Sequence, residues 1–184
     1  MLCRGPSAAH LLLSRGIAVL AGALFAVSLG LHVAALAGVD VREYWPGVFW
    51  LHAVVIAAPL SVVLSPAGRR HRDLYEALPR WGARLIQVVF AYAIVNFVLY
   101  AIQSHGGGPG IEDGRYVLSR HGDVLRFLTE EDWHGYRALQ LRGVSGHWML
   151  FSLLAALVWA KEARATGRRP RGTATEPPIT TRRL

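Results

Sequence analysis

Eight histidines and one cysteine are the side chains in this sequence with the widest chemical reach. Neutral imidazole is the commonest transition-metal ligand, serves as an axial ligand of haem, and titrates near neutral pH. Four of the eight, His32, His52, His105 and His147, fall at one end of four different apolar runs. By helical rise, His32 and His52 lie at the same depth, roughly 8–9 Å below one membrane surface. His32, His52 and His147 are therefore the candidate cofactor-binding residues, for haem b or a single transition metal held between helices, where bundle folds build such sites. Two features oppose this. No carboxylate lies within the apolar runs to orient a ligating imidazole, and His32 sits about 200° around its helix from Gly30, away from a small-residue stripe. The plainer alternative is that each imidazole hydrogen-bonds a neighbouring helix or meets the wet interface. Cys3, being alone, excludes an internal disulfide and a Cys-based metal site.

A second arrangement is Gly143-Val144-Ser145-Gly146 followed by His147. The G-x-S-G resembles the nucleophile motif of rhomboid intramembrane proteases in those four letters only. Rhomboids have six or more spans and draw their histidine from a later helix, whereas Ser145 introduces the last apolar run here. A nucleophile needs a base within hydrogen-bond reach, and an adjacent residue on the same turn faces elsewhere. Ser145 reads as a helix cap. Glu130, Glu131, Asp132 and His134 read as a solvated helix start rather than an acidic site, and no catalytic residue is assigned.

These residues must be positioned by apolar rods. The 184-residue chain is 53% hydrophobic and 17% charged, well below the roughly 25% charge of soluble domains. The apolar residues are blocked into long runs, expected as spans at about 17–38, 47–65, 83–103 and 145–162. The first, Ile17 to Gly38, contains no charge and places Ala18, Gly22, Ala26, Gly30, Ala34 and Gly38 at every fourth position. Small residues at that spacing permit close helix approach, so this stripe is the expected packing seam. Ala35-Leu36-Ala37 is also an A-x-A that could end a cleaved signal peptide. The apolar run is longer than a signal core, and retention as an anchor is the expected reading.

Charge sets the orientation. Segments before the first span, between the second and third, and after the fourth hold 14 Arg and Lys against four acids; the other side holds six Arg against eight acids. That asymmetry places both termini and the Arg69–Arg72 loop in the cytoplasm of a bacterial inner-membrane protein. The pI near 10.5 therefore serves topology and anionic lipid at the basic tail, and nucleic acid is not an expected partner.

In chain order, 1–16 is a cytoplasmic lead and 17–160 the membrane domain. Pro59 should kink the second span. Trp45, Trp50, Trp81, Trp148 and Trp159 fall near span ends and read as interface anchors. Asn96, near mid-membrane, should face another helix. Residues 104–144 form an outer cap. Gly106–Gly110 is a flexible lead-out, and Tyr116–Ser119 and Val124–Leu128 are short strands around a His121-Gly122 turn flanked by Arg120 and Asp123. Thr129 caps a helix to about Arg142 that lies along the interface and is broken by Gly143 and Gly146. Residues 161–184 form a disordered basic tail.

YAIVNFVLY, DGRYVLSRHGDVLRFLTEEDW and RGVSGHWMLF resemble a family of small four-span bacterial membrane proteins without an assigned activity. The resemblance covers residues 90–151 and the first two spans loosely. It implies the architecture, singles out Gly122, Gly146, His147 and Trp148, and supplies no mechanism. The expectation is an all-α, four-helix transmembrane bundle with a small extracytoplasmic hairpin-plus-helix insertion between spans three and four. Its expected role is that of a non-enzymatic accessory or interaction protein, touching the lipid bilayer and another membrane protein or itself. The alternative is a redox protein using the histidine layer; a small oligomeric transporter is third.

Overall fold

The computed structural model describes residues 8–64 and 78–168. The expected Arg69–Arg72 loop, the extreme N-terminus and the tail beyond residue 168 lie outside them.

The chain forms α1 (Ala8–Leu36), a short α2 (Val41–Tyr44), α3 (Trp50–Leu64), α4 (Arg80–Gln103), strands β1 (Gly108–Glu112), β2 (Arg115–Arg120) and β3 (Asp123–Phe127), and α5 (Glu130–Arg168). Three of the helices, α1, α4 and α5, are long and apolar enough to cross a membrane. The 15-residue α3, with Pro59 inside it, is shorter. It extends about 22 Å at 1.5 Å per residue, less than the hydrocarbon thickness.

The largest departure from the sequence expectation is α5. The interfacial helix and the fourth span are one unbroken 39-residue helix, about 58 Å long by its rise. Gly143 and Gly146 do not break it. A Cβ at Gly143 would sit 2.6–3.0 Å from ring carbons of Tyr100, and one at Gly146 would sit 3.1 Å from Asn96 Nδ2. Their missing side chains admit α4 against α5. The helix also runs on from Lys161 to Arg168, where a disordered tail was expected.

The α5 helix is the common partner of the bundle, packing against α1, α4 and α3. Its C-terminal half gathers Ala21, Val62, Leu78, Ala155, Val158 and Trp159, and its N-terminal half gathers Ala35, Val48, Val55, Leu141 and Trp148. On α1 the buried positions are Ser14, Ala21, Ser28 and Ala35, seven apart, with His32. The every-fourth stripe is not the seam: Gly30 and Ala26 are exposed, and nothing lies within 4 Å of a Cβ built at Gly22 or Gly30. A step of four residues advances 400°, so five steps drift about 200° around the helix, whereas a step of seven drifts only about 20°. Trp148 and Trp159 are also interior, at 0% and 6% exposure, while Trp45, Trp50 and Trp81 remain exposed as interface anchors would be.

Outside the bundle, β1, β2 and β3 form an antiparallel sheet in that order. The His121-Gly122 turn is present, with φ of 54° and 94° and Arg120 paired with Asp123, as two-residue hairpins of this hand require. The expected flexible lead-out is in fact a strand. Gly108–Glu112 pair with Arg115–Ser119 around a second turn, Asp113-Gly114, at φ of 48° and 75°. Val117 and Leu118, on opposite faces of β2, are both buried, and β1 and β2 pack against α5, whereas every residue of β3 is exposed.

Candidate functional site

Two polar clusters form around α5, one built on Ser145 and the other on His147 and Trp148. The expected histidine layer is divided between them.

In the first cluster, His32 from α1 is buried at 2% exposure. Its Nδ1 lies 2.8 Å from Ser145 Oγ, and its Nε2 meets the Tyr92 hydroxyl of α4, the two rings packing edge-on. Ser145 Oγ donates to the Arg142 carbonyl at 3.2 Å, which also accepts from Asn96 Nδ2 at 2.8 Å. Arg142 Nε returns a bond to Asn96 Oδ1 at 3.0 Å. One proton assignment satisfies the whole chain: Tyr92 donates to His32 Nε2, His32 Nδ1 donates to Ser145, and Ser145 donates to the Arg142 carbonyl. Asn96 thus faces another helix as expected. Ser145 is not a cap: it lies mid-helix, fully buried.

In the second cluster, Trp148 Nε1 donates to His52 Nδ1 at 2.7 Å. Indole is a donor only, so Nδ1 of His52 supplies the lone pair and the neutral ring carries its proton on Nε2. His147 lies edge-on to His52, ring centroids 5.6 Å apart. The structure thus brings His52 and His147 together and places His32 in a different cluster.

This bears on the cofactor reading. A ligating imidazole must offer a lone pair, and those of His32 and His52 are already directed to Tyr92 and Trp148. Among the described residues, no three His, Cys, Asp or Glu side chains converge as a metal-binding group. As placed, these residues do not fit haem or a metal ion, which would first have to displace the buried partners. The G-x-S-G serine does have an imidazole in reach, His32 from α1, a pairing that adjacency in sequence had pointed away from. Both groups are sealed from solvent, and the serine proton is directed to a carbonyl. That geometry cross-links α1, α4 and α5.

A charged cluster lies beyond the bundle. Asp40, before α2, is buried and accepts at Oδ1 from the Arg42 backbone N–H at 3.1 Å. Its Oδ2 lies 2.7 Å from His134 Nδ1 and 3.2 Å from Arg137 Nε. The His134 contact is a hydrogen bond; the Arg137 N–H has no bonded acceptor, so that contact is an ion pair without hydrogen-bond alignment. Arg42 donates to Gln140 Oε1 at 3.0 Å and lies over Phe49. Burial, then the nearby Arg137 charge, push the Arg42 guanidinium below its ordinary range, with Asp40 opposing. Arg137 stacks over Trp133, and Tyr116 of the sheet lies against the same indole. His134, read from sequence as part of a solvated start, instead ties the α1–α2 corner to α5. Thr129 caps the helix as expected, accepting from the Asp132 backbone N–H.

Compared with known proteins, the chain matches no protein-family model, no curated protein and no solved structure.

Proposed function

We propose that the chain is a non-enzymatic accessory or interaction protein of the bacterial inner membrane, a four-span bundle whose extracytoplasmic cap engages another membrane protein. In this reading α3 is the short second span, α1 is retained as an anchor, and both termini are cytoplasmic, as the arginine asymmetry directs. The architecture is the one implied by the resemblance to small four-span bacterial membrane proteins.

A single contrast supports the role. His32, Tyr92, Ser145, His52 and Trp148 spend their polar atoms on one another within the bundle, while β3 presents Val124, Leu125 and Phe127 outward at 39–58% exposure. The sheet is held against α5, and α5 is locked to the α1–α2 corner through Asp40. A change in a partner bound at the cap would therefore reach the spans through one continuous helix.

The test is site-specific photocross-linking in native membranes, with the probe at Phe127 and a lipid-facing control at Val88. The reading expects a discrete protein adduct from position 127 that is absent from position 88. Identical lipid-only patterns from both positions would contradict it.

A further inference from the structure

The geometry points to an anion-binding site at Arg142, occupied by the phosphate or carboxylate of an amphiphile from the adjacent leaflet. The sequence reading put Arg142 in the outer cap. The structure pairs it with Asn96, seven residues inside the end of α4 at Gln103, roughly 10 Å below that end by helical rise. A guanidinium at such a depth is costly unless it is paired or reaches the headgroups.

Arg142 is not paired by the protein. Apart from Asn96, it has no side-chain partner among the described residues, and their only ion pairs join Asp40 to His134 and Arg137. The expected spans hold no Asp or Glu before position 162, so the bundle has no counter-charge to offer at this depth. Nε is committed to Asn96 Oδ1, and the Asn96 amide is committed to the Arg142 carbonyl. That reciprocal pair fixes the stem and leaves both η nitrogens without a protein acceptor among the described residues. The residue is only half-buried. A planar pair of free N–H groups is the geometry that receives two oxygens of a phosphate or carboxylate. The glycines at 143 and 146 hold α4 close enough for Asn96 to perform this positioning. The site requires that α4 and α5 cross the bilayer; it does not require the accessory role.

The experiment reconstitutes the full chain in phosphatidylcholine nanodiscs with and without phosphatidylglycerol, and counts retained phosphatidylglycerol by native mass spectrometry. Wild type should retain it. Arg142→Gln should weaken retention about tenfold, the size of one charge-assisted hydrogen bond, and Arg142→Lys should weaken it less. Asn96→Asp is the decisive variant, because it supplies an internal carboxylate to the guanidinium. It also removes the Nδ2 donor to the Arg142 carbonyl, so it should lose retention with a lowered melting temperature but an intact helical signal below it, and a misfolded Arg142→Gln does not decide the matter. Stabilisation by inorganic phosphate in phosphatidylcholine alone would assign the site to a free anion. Equal retention by wild type, Arg142→Gln and Asn96→Asp, with no effect of phosphate, would overturn the site.

Discussion

The glycines of α1 and those of α5 make opposite use of the same residue. Gly22 and Gly30 lie on a regular stripe, yet an added Cβ at either meets nothing within 4 Å. Gly143 and Gly146 lie in no stripe, yet an added Cβ would strike Tyr100 or Asn96. Regular spacing in one helix says what that helix permits; only the facing helix says what it uses. Here the facing element decides in favour of α5, whose glycines bring α4 close enough for Asn96 to bond the Arg142 backbone.

Substitution should separate the two sets. The largest effect is expected at Gly143→Leu. The side chain cannot enter without moving the Tyr100 ring, and a cost of about 3 kcal/mol or loss of folded protein should appear in reversible detergent unfolding. Next comes His32→Ala, which leaves the Tyr92 hydroxyl without its acceptor and removes one of the two bonds of Ser145; about 1–2 kcal/mol is expected on the same assay. Asp40→Asn should cost about 1 kcal/mol, since its partners are partly exposed and the ion pairs partly screened, and it should raise proteolysis of the cap before the spans loosen. The smallest effect is Gly22→Ala, within about 0.5 kcal/mol of zero. A large loss at Gly22 would restore the every-fourth stripe as a seam and break the comparison.

Much of the fold was legible because its signals are local. Uninterrupted apolar runs announced the long helices, His121-Gly122 announced a hairpin, and Thr129 announced the start of α5. Where several local rules competed, the reading failed. Gly143 and Gly146 carry a helix-breaking propensity of about 1 kcal/mol each, which contact with α4 overrides. Gly106 to Gly110 read as a flexible tract, although Gly107 needs to be glycine because a Cβ would lie 3.0 Å from Ser119 O and Leu125; the Asp113-Gly114 turn was the signal that could have revealed β1. Trp148 and Trp159 have the composition of interface anchors, but their N–H groups find His52 and Ser61 inside the bundle.

The site was legible in its parts and not in its assembly. The sequence offered a hydrogen bond to a neighbouring helix as the plain role of each imidazole, and it marked Asn96 as a residue needing a partner. Which residue of α5 each histidine meets is a rotational fact about a neighbouring helix, and no spacing within one segment contains it. The pairing of His32 with Ser145 joins residues 113 positions apart. For the same reason Arg142, three residues before the expected span, could not be placed in the bundle until α5 proved continuous.

The account rests on α5 being the post against which the other helices close. A double-mutant cycle between Gly143 and Tyr100 measures this most directly, using Gly143→Ala, Tyr100→Ala and the pair in reversible unfolding. If the ring and the missing side chain meet, the alanine at 143 should be far less costly once Tyr100 is truncated, giving a coupling of about 1 kcal/mol or more. Strictly additive costs would mean that α4 and α5 do not touch there, and the central post would be lost.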